Sequence, residues 1–308
     1  MRKPAAEIIA TFLDDARSGR QPLAMFNNLR SPTLVEVMGA AGHRFIIFDL
    51  EHSSTNHEML VSLIRAAELH DMMVMVRIER PDTAAAIRAL DAGAHGIWVQ
   101  HLADAEAVRT FVSSCLYPPL GDRGYCLFPR ANHNGIGGAM EWVEYSNTGP
   151  LFVIGLNNEE ILDEIDEVIA IPRVEILALN APDVTVRAGY GDFDDFFQMH
   201  NIAKGVNKKI HEAGKLVMMP LLPPDMGDLK EAREFLAEQA ADIWFTADIG
   251  CFLNGLGTLM GLQRALVKDR TGGNTQASTG SEASDSKEHD ESASDDDPKS
   301  KLDFVRTC

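Results

Sequence analysis

Cysteine is scarce and unpaired in this 308-residue chain. Cys115, Cys126, Cys251 and Cys308 stand apart, with no CxxC spacing among them. That excludes a disulfide-stapled fold and suits free thiols in a reducing compartment, so the expected location is cytoplasmic. Each thiol reads as a small core hydrophobe or an inert tail group. Positive charge is scarce too. Lys and Arg number 28 against 46 Asp and Glu, a net charge of −18, and a chain this acidic offers no basic face for nucleic acid. No apolar run approaches the ~20 residues of a membrane span. The N-terminal stretch MRKPAAEIIATFLDDARSG lacks an apolar core and carries acids early, so it reads as an amphipathic helix rather than a secretory signal. No GxGxxG follows the first apolar strand and no P-loop occurs, which argues against a nucleotide cofactor.

What is present is a regular alternation. Short apolar runs fall at 22–27, 44–49, 73–77, 96–99, 151–155, 175–179, 215–219 and 243–246. Helical patterns follow them, among them NHEMLVSLIRAAELH (56–70), DTAAAIRALDAG (82–93), ADAEAVRTFVSSC (103–115), EEILDEIDEVIA (159–170) and DMGDLKEAREFLAEQ (225–239). Strands that alternate with helices predict βαβ units and a parallel sheet. Continuous apolar strands fit a sheet covered on both faces. Eight repeats in about 250 residues predict a (β/α)8 TIM barrel, over residues 1–270. Residues 271–308 are different, carrying nine acids, four bases and almost no large apolar groups. Such a segment cannot offset its ordering entropy, so a disordered acidic, serine-rich tail is expected, read as a solvated appendage ahead of an interaction or phosphorylation tail.

In a barrel, chemistry gathers at the C-terminal strand ends. Those ends carry Asn28 and Arg30; Asp49, Glu51 and His52; Arg77 with Glu79 and Arg80; Gln100 and His101; Asn157 and Asn158; Asn180 and Asp183; and Thr246 with Asp248. So many polar groups have no use in a packed core and predict a polar basin. His52 titrates near neutrality with Asp49 three residues before it, a candidate general base and its orienting carboxylate. Arg77 offers a fixed fork of donors for a carboxylate or an enolate oxygen. Asp183 stands at a predicted helix start, where a carboxylate caps or ligates a hard cation. The ordinary alternatives are a loop histidine, a structural ion pair of Arg77 with Asp49 or Glu51, and a simple N-cap. HNGIGG (133–138) reads as a flexible loop over the site, HEAGK (211–215) as a helix end, and the Met-rich stretches as strand cores. His52, His101 and His133 lack the short spacing of a zinc site.

Three separated stretches carry a resemblance. They are FIIFDLEHSS (45–54), VMVRIERPD (74–82) and LDAGAHGIWVQHLADAEAVRTFVSSCLYPPLGDRG (90–124). Over about residues 20–267 the chain resembles the HpcH/HpaI aldolases, the class II pyruvate aldolases. The resemblance implies a (β/α)8 barrel assembled as a homo-oligomer, dimer-based and up to a hexamer, with a swapped terminal helix. It implies a lyase acting on a small carboxylate substrate, a 2-oxo acid, through an enolate held by a divalent cation such as Mg2+ or Mn2+. Carried over by position, Asp49 and His52 become the acid–base pair and Arg77 binds the keto oxygen. Asp91 supports the site, Asp183 is the metal aspartate, and Asn180 lies at the substrate-binding turn.

Two positions depart from the family pattern. Where the family ends strand five in a Val-Gln-Val-Glu-like run, this chain has Gly155 at the Gln position and Asn157 at the metal Glu. A neutral amide there weakens a hard-cation site, which depends on carboxylate charge. Where the family shows Gly-Pro-Ala-Asp, this chain has Asn180, Ala181, Pro182 and Asp183, and Pro182 removes a backbone donor. Three expectations follow. The first is a family-type lyase with an altered metal site. The second is a metal-independent barrel repurposed for decarboxylation, cyclisation or cycloaddition. The third is a non-catalytic pseudoenzyme.

Overall fold

The computed structural model describes residues 3–179, 183–184, 193–221, 238 and 240–272. The expected helix over 225–239, the turn at 180–182 and most of the acidic tail lie outside the described residues. Eight parallel strands close into a barrel in sequence order: β1 (Leu23–Asn27), β2 (Phe45–Asp49), β3 (Met73–Ile78), β4 (Gly96–Val99), β5 (Leu151–Leu156), β6 (Val174–Leu179), β7 (Leu216–Pro220) and β8 (Ile243–Ala247). β1 pairs with β8 through Leu23 and Trp244, which closes the ring.

The strands alternate their side chains between two cores. Ile46, Phe48, Val74, Val76, Ile97 and Val99 face outward to the helices. Phe45, Ile47, Met73, Met75, Trp98, Leu151 and Val153 face the barrel interior. The outer layer includes α2 (Pro32–Ala40), α3 (His57–Glu68), α4 (Thr83–Ala92), α5 (Ala105–Cys115), α6 (Ala139–Thr148), α7 (Glu159–Asp163), α8 (Ile165–Ile169) and α9 (Phe193–Glu212). Asn56, Asp82, Asp104 and Asn158 cap α3, α4, α5 and α7 through their side-chain oxygens. α10 (Asp248–Gly272) follows β8. Packing divides the chain into two compact units, Met1–Gly257 and Thr258–Cys308.

The amphipathic N-terminal segment is α1 (Ala5–Arg17). It buries Ile8, Ile9, Phe12 and Ala16 against residues at the N-terminal ends of the strands. The Phe12 ring lies 4.7 Å from that of Phe45. One end of the barrel is therefore plugged by apolar contact. The predicted single helix over 159–170 is broken at Glu164, whose backbone leaves helical angles. The Glu164 carboxylate instead accepts from the N–H of Ala105 at the start of α5. A local break thus satisfies a neighbouring helix end.

The stretch 130–138 does not cover the strand mouths. A short 3-10 turn, Arg130–Gly135, packs beside the last turn of α4, where Arg130 reaches the Ala92 carbonyl and Glu68. There it lines a cavity of about 250 Å³ with His95, Arg123, Trp142 and Pro150, beside the starts of β4 and β5.

Candidate active site

Interior-facing positions turn polar as each strand nears its C-terminal end. The β3 column runs Met73, Met75, Arg77; β2 runs Phe45, Ile47, Asp49; β4 runs Trp98, Gln100; and β5 runs Leu151, Val153, Gly155, Asn157. The register sets Asp49 beside Arg77 across adjacent strands. Arg77 Nε and Nη2 donate to the two oxygens of Asp49, each at 2.8 Å. Asp49 also accepts from the backbone N–H of Glu51 and of His52. Burial pushes the Asp49 carboxyl up, but the Arg77 fork and the two N–H groups outweigh it and hold the group below the usual carboxylate range. Asp49 is therefore a fixed anion that orients Arg77.

The guanidinium stands on an aromatic floor. Arg77 lies 4.5 Å above the ring of Phe26 and 5.6 Å from that of Trp98. Phe26, Trp98 and Phe245 meet edge-on at 5.1–5.4 Å. The floor separates the polar layer from the apolar interior, and its ring faces favour a cation above them.

The carboxylate nearest the His52 ring is Glu51, not Asp49. His52 Nε2 is 3.7 Å from Glu51 Oε1, while the His52 side chain is 69% exposed. The more buried partner of Glu51 is His101, whose Nε2 lies 3.0 Å from the same oxygen. Arg77 Nε is 3.2 Å from Glu51 Oε2, which accepts no hydrogen bond among the described residues. Glu51 is thus a buried carboxylate shared by one arginine and two histidines. Neither Glu51 nor His101 stood out in sequence beyond its place at a strand end. One signal of His101 appears only in the fold, a left-handed backbone at φ +57° on a non-glycine residue. That conformation costs roughly 1–3 kcal/mol and clusters at functional sites.

Asn157 and Asp183, expected to share a cation, do meet. Asn157 is fully buried, and its Nδ2 donates to Asp183 Oδ2 at 2.7 Å. Its Oδ1 faces the backbone N–H of His101 at 3.4 Å. Turning the amide to aim its oxygen at a cation would set Nδ2 against that N–H, donor against donor. The pair as arranged does not suit a Mg2+ or Mn2+ site. Among the described residues no group of three or more His, Cys, Asp and Glu side chains is disposed to hold a metal ion. Gln100 completes this wall. It is fully buried, and neither atom of its amide has a hydrogen-bond partner among the described residues. It lies over Gly155, where a Cβ would stand 1.9 Å from Gln100 Oε1 and 2.6 Å from Asn157 Oδ1.

Asp91 is not part of this assembly within the chain. α4 runs back from the end of β3 toward the start of β4, and Asp91 in its last turn pairs with Arg123 at 2.5 Å. It therefore sits at the opposite end of the barrel from Asp49 and Arg77. Asn180 lies outside the described residues.

A barrel with an Asp–Arg pair at one mouth is a scaffold for many chemistries, so comparison with known proteins decides the lineage. The model of the family described as HpcH/HpaI aldolase/citrate lyase matches residues 23–254. The chain belongs to that family. Among curated relatives, the 2-dehydro-3,6-dideoxy-6-sulfogluconate aldolase of Pseudomonas putida is 27% identical over 172 residues, 55% of this chain and 66% of that protein. The 2-keto-3-deoxy-L-rhamnonate aldolase of Escherichia coli K12 is 21% identical over 216 residues, 70% of this chain and 80% of that one. Solved structures agree in fold. An HpcH/HpaI family protein from Burkholderia cenocepacia superposes with a TM-score of 0.72 at 21% identity, covering 83% of this chain and 99% of that one. Macrophomate synthase gives 0.70 at 21% identity, with 84% and 90% covered.

Proposed function

We propose that this HpcH/HpaI family member is a carbon–carbon lyase that makes or breaks a bond next to the carbonyl of a 2-oxo acid through an enolate. The observation that carries the reading is the Arg77–Asp49–Glu51–His101 constellation over its aromatic floor. With Nε and Nη2 held by Asp49, Arg77 is left with Nη1 to meet a substrate oxygen, and it makes no hydrogen bond from Nη1 among the described residues. Its charge stabilises negative charge developing on that oxygen. His52 and His101, both beside Glu51, are the imidazoles placed to pass a proton to or from a substrate. Family membership and the aldolases among its relatives support the reaction class.

The test is a pyruvate-release assay on a panel of 4-hydroxy-2-oxo acids, with pyruvate plus aldehydes as the reverse panel. Turnover that falls about 100-fold or more in Arg77→Met is the expected result, the size of effect seen when one oxyanion donor is removed. Absence of turnover in both directions across the panel would sink the reading. A second reading, decarboxylation or cyclisation of a larger carboxylate, is favoured by one observation, the neutral Asn157 in place of an anionic ligand. Release of CO2 from 2-oxo diacids without aldehyde production distinguishes it.

The working form is proposed to be a homo-oligomer in the cytoplasm. Ile249, Phe252, Leu253 and Leu256 stand exposed on the first turns of α10, an apolar face that a second copy of the chain would cover. Among the described residues no helix is long and apolar enough to cross a membrane.

A further inference from the structure

The geometry points to a barrel that receives its 2-oxo acid without a divalent cation, the Asn157–Asp183 pair being a direct hydrogen bond at the two positions where the resemblance implied a metal. The inference rests on the lyase reading and names how that site handles charge. A cation bridging residues 157 and 183 needs an oxygen from each. Here residue 157 turns a nitrogen to Asp183 at 2.7 Å, and that nitrogen and the cation would compete for one carboxylate oxygen. The amide cannot reverse cheaply, because its oxygen already faces the His101 N–H. Replacing an anionic ligand by an amide also halves the negative charge that residues 157 and 183 would offer a doubly charged ion.

The space beside the pair is filled as well. Gln100 lies over Gly155, and a Cβ at residue 155 would stand 1.9 Å from Gln100 Oε1 and 2.6 Å from Asn157 Oδ1, so Gln100 would have to shift to admit it. Gln100 is wholly buried, and both of its amide atoms lack hydrogen-bond partners among the described residues. A buried amide with unmet donors and acceptors is ready to bond a polar ligand. The wall that would carry a cation is therefore built of neutral amides. The positive charge for an enolate oxygen comes instead from Arg77, with His101 on the other side of Glu51.

The experiment uses the full chain and needs no turnover. Mn2+ is titrated against protein treated with chelator and then desalted, following free Mn2+ by its electron paramagnetic resonance signal, with and without oxalate as a planar anionic probe. The expected result is that wild type takes up no Mn2+ sensitive to residue 183, and that oxalate raises the melting temperature equally with chelator or Mn2+ present. Asn157→Asp, which keeps the side-chain volume, and Asn157→Glu, which reaches further, should each gain Mn2+ affinity at least about tenfold, ~1.4 kcal/mol. Stoichiometric Mn2+ uptake by wild type that is lost in Asp183→Asn would overturn the inference. So would Mn2+-dependent oxalate binding. If folded Asn157→Asp and Asn157→Glu both fail to gain affinity, Asn157 is not what excludes the ion and the assigned cause falls. A lyase assay that fails leaves these outcomes standing, and Mn2+ uptake leaves the lyase assay standing, so the two readings fail separately.

Discussion

At the scale of single residues, Arg77 holds the site together. Its side chain is 11% exposed and its partner Asp49 is fully buried, so neither charge can be removed alone without stranding the other. Breaking such a pair costs roughly 3–5 kcal/mol. Arg77→Met should lower the unfolding free energy by about that amount in denaturant titrations. Arg77→Lys keeps the charge but loses the two-pronged contact, and should lose activity with less loss of stability. The pH dependence has a definite sign. Because the folded-state pKa of Asp49 is depressed, its stabilisation is fully present above its unfolded value near ~3.9 and fades as pH falls through the lower folded value. Urea midpoints should therefore drop steeply below about pH 4 in wild type, and less so in Asp49→Asn. A wild-type midpoint as insensitive to acid as that of Asp49→Asn would contradict this account. The sequence made Asp49 and Arg77 visible because both end apolar strands. Their mutual pairing was open, since three-residue spacing put Asp49 as near to His52 as to anything else. Register across β2 and β3 settles it, and register is a long-range property.

At the scale of elements, the strands were easy to read and the breaks between them were not. All eight apolar runs became strands within a residue or two, because a strand covered on both faces must be apolar throughout. The break at Glu164 was hidden in an unbroken helical pattern, since its cause is the N–H of Ala105, about sixty residues earlier in the chain. The same limit concealed the role of the 130–138 stretch and the Glu51–His101 contact. Two substitutions test the element-level packing. Phe12→Ala opens a cavity between α1 and the barrel floor and should destabilise by about 3–5 kcal/mol, measured by chemical unfolding, with little effect on ligand binding at the opposite mouth. Gly155→Ala has the reverse signature. Its Cβ would meet Gln100 Oε1 at 1.9 Å, so Gln100 must move and the amide wall with it. Oxalate binding should weaken more than stability falls, and Gly155→Ala combined with Gln100→Ala should recover stability. Loss of fold in the double variant would show that Gln100 is a packing residue only.

At the scale of the whole molecule, thiol chemistry reports on the core and light scattering on the assembly. Cys115, the last residue of α5, is completely buried and burial pushes its pKa up to about 12, whereas Cys126 and Cys251 are exposed on the isolated chain. A thiol that stays protonated and shielded does not alkylate, so in native protein Cys126 should react with iodoacetamide within minutes and Cys115 only after unfolding. Ile249, Phe252, Leu253 and Leu256 share one face of α10, while Cys251 lies off that face, so the assembly is read by mass instead. If a second copy of the chain covers the apolar face, light scattering should give a multiple of the chain mass. Phe252→Ser with Leu256→Ser should then release single chains while leaving Cys115 silent. A wild-type protein that scatters as one chain would show that α10 has no such partner. Asp91 gives the same experiment a catalytic readout. It lies at the barrel end away from Arg77 within one chain, so any role it has in turnover must be exerted through its Arg123 contact or across an assembly. Asp91→Asn should therefore lose activity in the oligomer if it acts across the assembly, and leave the residual activity of released single chains unchanged.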